Sequence, residues 1–73
     1  MNKRIVINKR VLAGKPVIKG TRISVDFIMR LLGNGWTYEE ILKEYPHLKK
    51  TDITAVLKYS AEIVHDERVI AIQ

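Results

Sequence analysis

The sequence predicts a mostly α domain: a helix-turn-helix-like bundle of three helices across residues 24–65, behind a basic β segment at 1–23, with a candidate strand in the tail at 66–73. Three observations carry that expectation. Each amphipathic stretch opens on a residue able to cap a helix, a β-branched run stands near the N-terminus, and Gly and Pro punctuate the joints.

Arg4-Ile5-Val6-Ile7-Asn8 reads as a short strand, and its length alone does not choose between a buried strand and one paired with another chain. Residues 11–16 break regular structure, and residues 17–23 then predict a small hairpin turning at Gly20, a residue that tolerates positive φ. Ser24 caps a first helix over about 25–33, with Asp26 in its first turn and Ile28, Leu31 and Leu32 on one side, until Gly33-Asn34-Gly35 ends it. Thr37 and Glu40 have the spacing of a capping box and open a second helix over about 38–45, which Pro46 closes. Trp36, just before that cap, is placed to staple onto Ile41 as a core anchor. Thr51 reads as the N-cap of a third helix, whose apolar stripe is Ile53, Val56, Leu57, Ser60, Ala61 and Val64. The run Val69-Ile70-Ala71-Ile72 is β-prone; it could pair with the N-terminal strand, a second subunit or the sheet edge of a partner.

With 73 residues the chain makes one domain. At that size folding removes only about 60% of the surface the unfolded chain exposes, so a homodimer is expected. There is no cysteine for a disulfide or a thiolate zinc site. The longest apolar runs are four residues, against the roughly 20 needed to cross a bilayer. The basic N-terminus lacks a signal peptide's apolar stretch, and the expected address is cytoplasmic, with no membrane partner.

The net charge of +5 is unevenly placed. Residues 1–22 hold seven basic side chains and no acid, whereas the remainder sets six basic against eight acidic. Such a stripe attracts phosphate backbones or an acidic protein surface; it is equally what guarded strand edges look like.

No catalytic constellation is legible, and a non-enzymatic domain without metal or other cofactor is expected. His47 and His65 stand alone, His65 at a helix C-terminus where positive charge is favoured. Glu39, Glu40 and Glu44 read as a solvated face with Glu39 reaching Lys43, and Gly33 and Gly35 as a helix stop. A helical hairpin whose later helix is the longer suits DNA major-groove recognition. With the apolar stripe turned inward, Thr51, Thr54, Ala55, Lys58 and Tyr59 are expected to face out for base contact, and Lys49 and Lys50 to meet phosphates. Asp52 is expected to repel phosphate, and Glu62 to dilute the positive face.

The strings GKPVIKGTRI at 14–23, GWTYEEIL at 35–42 and YPHL at 45–48 resemble the domain-of-unknown-function family number 433. The match runs from about Gly14 to Ala61. The resemblance implies a trihelical, homeodomain-like fold with a small β element, and a role as antitoxin to a PIN-like ribonuclease toxin. It supplies no catalytic motif. The resulting expectation is a DNA-binding antitoxin that autoregulates its operator as a dimer and docks its toxin through Arg68, Val69, Ile70 and Ile72. The rivals are a protein–protein adaptor without nucleic-acid binding and an RNA binder using the basic arm.

Overall fold

The computed structural model of the chain describes residues 3–66. Two short strands, β1 (Ile5–Ile7) and β2 (Pro16–Ile18), precede three helices, α1 (Val25–Gly33), α2 (Tyr38–Glu44) and α3 (Lys50–Asp66). The candidate C-terminal strand and the docking residues Arg68, Val69, Ile70 and Ile72 lie outside the described residues.

β1 pairs antiparallel with β2, Ile5 opposite Ile18 and Ile7 opposite Pro16. Pro16 opens its strand, a position where its missing N–H costs no interior ladder bond. The expected hairpin over 17–23 contracts to a tight turn. The Thr21 N–H donates to the Ile18 carbonyl at 3.0 Å, Gly20 takes φ +80°, and beyond the turn only an isolated bridge from Val17 to Ser24 follows. β2 instead finds its ladder with β1, whose partner the local pattern left open. Between the strands, Leu12, Ala13 and Gly14 form one turn with positive φ throughout, at 49°, 56° and 84°.

The helix starts follow their caps. Ser24 Oγ accepts from the Phe27 N–H at 2.9 Å. Thr37 and Glu40 complete a reciprocal capping box, at 3.1 Å to Thr37 Oγ1 and 2.8 Å to Glu40 Oε1. The third start departs from expectation: Thr51 lies inside α3, and the capping carboxylate is Asp52, which accepts from the Lys49 N–H at 2.9 Å. This is the Glu/Gln half of a capping box performed by an Asp. The expected Glu39–Lys43 pair is not formed; the one i,i+4 ion pair among the described residues joins Asp26 to Arg30 on α1.

Ile5, Ile18, Val25, Ile28, Ile41, Leu48, Ile53 and Val56 make the core, with Trp36 packed against it as a core anchor. Fully burying one such aliphatic side chain is worth roughly 1.5–3 kcal/mol. Leu48, in the five-residue connection between α2 and α3, pins that connection to the core.

α3 is turned relative to the stripe its periodicity suggests. Ile53 and Val56 are fully buried as expected, but Leu57 is half-buried, Ala61 exposed and Val64 57% exposed. Asp52 and Ala55 are buried in their place, and Tyr59 packs on the core. The shift is close to one residue position, about 100° around an axis of 3.6 residues per turn. Its cause is the sheet: α3 packs on β1 as well as on α1 and α2, so a flank that helix–helix packing alone would leave open is covered.

Candidate nucleic-acid interface

The outward surface of α3 follows from that turn. Thr51 and Lys58 are exposed, and Thr54 is half-buried, its hydroxyl donating to the Lys50 carbonyl at 3.2 Å. Lys49 and Lys50 stand exposed at the helix start, with the Lys50 ammonium 6.0 Å from the centre of the Tyr38 ring, within cation–π range. Two residues expected on this surface are withdrawn from it, one wholly and one in part. Ala55 is 6% exposed, and Tyr59 is half-buried, packed against the core. Of the seven expected contact residues, Lys49, Lys50, Thr51 and Lys58 are presented to solvent, Thr54 and Tyr59 in part.

The fold adds residues that the helix alone does not suggest. A groove of about 440 Å³ lies between α3 and the entry to β1, lined by Lys3 and Arg4 from the entry and by Thr51, Thr54, Ala55, Lys58 and Glu62 from the helix. Lys3 and Arg4 also line a second groove of about 400 Å³, completed by Lys19, Gly20 and Thr21 of the turn and by His47, Lys49 and Asp52. The acid-free N-terminal stretch signalled a basic surface; its position against α3 had no local signal.

Asp52 is the residue whose role changes most. Its carboxylate does not stand out toward a ligand but is 6% exposed and engaged at both oxygens, Oδ1 accepting from Arg4 Nε–H at 2.7 Å and Oδ2 from the Lys49 N–H. A negative charge paired in this way is largely cancelled for anything approaching α3. Glu62 keeps its expected place on the exposed side.

Among the described residues no group of three or more His, Cys, Asp and Glu side chains is arranged to hold a metal ion. Among the same residues no helix is long and apolar enough to cross a membrane.

Comparison with known proteins bears on fold and kinship. A stretch of 29 residues is 55% identical to an uncharacterised protein of Archaeoglobus fulgidus, covering 40% of this chain and 81% of that protein. The crystal structure of a DUF433 member protein from Anabaena variabilis, at 2.00 Å resolution, superposes with a TM-score of 0.80 at 28% sequence identity, over 86% of this chain. The match spans 62% of that longer chain. The family described as protein of unknown function (DUF433) matches residues 5–60, more than half of the sequence. Three capped helices behind a two-stranded sheet, and this match along most of the length, place the chain in the DUF433 family.

Proposed function

We propose that the chain is a DNA-binding helix-turn-helix protein, an antitoxin that neutralises a PIN-like ribonuclease and represses its own operator. The observation that carries the DNA-binding part is the groove beside α3. Exposed Thr51 and Lys58 stand on the helix face, and Lys3, beside the Asp52-paired Arg4, flanks it from the entry to β1, distant in sequence. A hydroxyl and an ammonium on a helix suit base edges in a major groove, and flanking cations suit the phosphates beside it. The antitoxin part is supported by the family resemblance alone, and in it the tail residues Arg68, Val69, Ile70 and Ile72 dock the toxin as an added strand.

The test is fluorescence anisotropy against the chain's own upstream DNA and a shuffled duplex, with Thr51→Ala and Lys58→Ala beside the unsubstituted protein. The reading requires selective binding, and a loss of roughly 1–3 kcal/mol with relaxed selectivity in the variant that touches a base. Deleting residues 68–73 should abolish co-purification with a co-expressed PIN-like ribonuclease while DNA binding persists.

A second reading, an adaptor that binds protein only, is favoured by the exposed Glu39 and Glu44 on α2, the helix that would cross the DNA backbone in this arrangement. Equal, weak binding to both duplexes would select it.

A further inference from the structure

We propose that the second basic groove is a phosphate clamp, which grips the backbone of one DNA strand beside the segment that α3 faces and sets the register of docking. The inference rests on the DNA-binding reading above and assigns a separate task to a second groove, which shares Lys3 and Arg4 with the first.

Three segments far apart in sequence converge there. Lys3 comes from the entry to β1, Lys19 and Thr21 from the turn after β2, and His47 and Lys49 from the connection between α2 and α3. Lys3, Lys19 and Lys49 are all exposed, and none of them forms an ion pair with another described residue. The single acid in the groove, Asp52, is already paired with Arg4 and capping α3, so its charge is offset and the three lysines set the sign of the groove.

Backbone bonds anchor the segments that carry Lys19 and Lys49. The Lys19 N–H donates to the Arg4 carbonyl at 2.7 Å, which ties the turn to β1. The Thr21 hydroxyl donates to the Ile18 carbonyl at 2.8 Å and accepts from the Ile23 N–H at 2.9 Å. Gly20 supplies the positive φ that lets the turn close. Lys49 is held at the start of α3 by the bond from its N–H to Asp52.

The two grooves share Lys3 and Arg4 and are therefore adjoining parts of one surface. A duplex whose major groove meets Thr51 and Lys58 presents the phosphates of an adjoining strand toward Lys3, Lys19 and Lys49. Contacts of this kind supply affinity and orientation but carry no base information. The lysines of the clamp and the α3 side chains should thus separate cleanly in a binding experiment.

The experiment is a salt series of anisotropy titrations on the upstream and shuffled duplexes, using the full chain and its Lys3→Ala/Lys19→Ala/Lys49→Ala variant, with circular dichroism to check that the variant is folded. The slope of log affinity against log salt should fall by about 0.9 for each phosphate released, roughly two to three in all, equally on both duplexes. The preference for the upstream duplex should stay unchanged. An unchanged slope overturns the clamp even where Thr51→Ala or Lys58→Ala alters selectivity, and in that case the α3 reading survives. A slope loss on both duplexes without any preference between them upholds the clamp and sinks operator reading by α3. Binding to poly-glutamate that is lost in the triple variant, with no duplex binding at low salt, overturns both and identifies the groove as a seat for an acidic peptide.

Discussion

Arg4 and Asp52 stand 48 positions apart in the chain and meet at 2.7 Å, Nε–H to Oδ1. The same carboxylate caps α3 through its other oxygen, so one buried side chain ties the entry of β1 to the start of the helix proposed to read DNA. Among the described residues this is the long-range ion pair of the fold, and it places the basic N-terminal residues against α3.

Asp52→Ala should therefore cost more than an ordinary cap. Losing a cap costs about 1 kcal/mol, and losing the ion pair with Arg4 adds to that, discounted because the arginine side chain is 45% exposed. We expect about 2 kcal/mol in urea denaturation and a fall in Tm of roughly 10 °C. A loss below 0.5 kcal/mol would mean the pair has no structural weight. A double-mutant cycle with Arg4→Ala isolates the coupling.

The turned face of α3 predicts an asymmetry between two alanines. Ala55→Leu inserts bulk where the helix is covered and should destabilise by about 1–3 kcal/mol, whereas Ala61→Leu, on the exposed side, should stay within about 0.5 kcal/mol. The opposite order would support the untwisted stripe of Leu57, Ala61 and Val64. Ile53→Ala, at a fully buried position, should cost 2–5 kcal/mol, a large share of the stability of a domain this small.

Positive φ predicts opposite signs at two loop positions. At Gly20, φ is +80° with open space where a Cβ would stand, so Gly20→Ala should lose about 1 kcal/mol from backbone conformation alone. Ala13 already sits at φ 56°, and Ala13→Gly should be neutral or gain up to about 1 kcal/mol as that strain is relieved. Thermal melts of the two variants, read side by side, decide it.

Tyr59 separates stability from recognition. It packs on the core, so Tyr59→Ala should lower Tm by several degrees, while DNA selectivity measured well below the melt stays as it was. Selectivity lost in Tyr59→Phe, which keeps the ring, would return the hydroxyl to the contact surface.

Much of this architecture was legible in short windows. The N-caps Ser24 and Thr37, the capping box with Glu40 and the Gly20 turn all lie where their residue types indicate, because each depends on bonds that reach two to four positions along the chain. Thr51 misled for the same reason: a hydroxyl and a carboxylate one residue apart each suit a helix start, and the start adopted is the one in which Asp52 accepts from the Lys49 N–H and pairs with Arg4.

The sequence by itself therefore determined the order of the helices and the starts of the first two, the excess of cations in the first 22 residues, and the strings that mark the family. Tertiary structure alone decided which flank of α3 is buried, that Asp52 turns inward, and that Lys3, Lys19 and Lys49 share one groove. Periodicity reports that a helix has an apolar side and roughly how wide it is. Which edge of that side is covered, and which distant charges come to lie beside it, depends on a two-stranded sheet assembled from segments that only folding brings into contact.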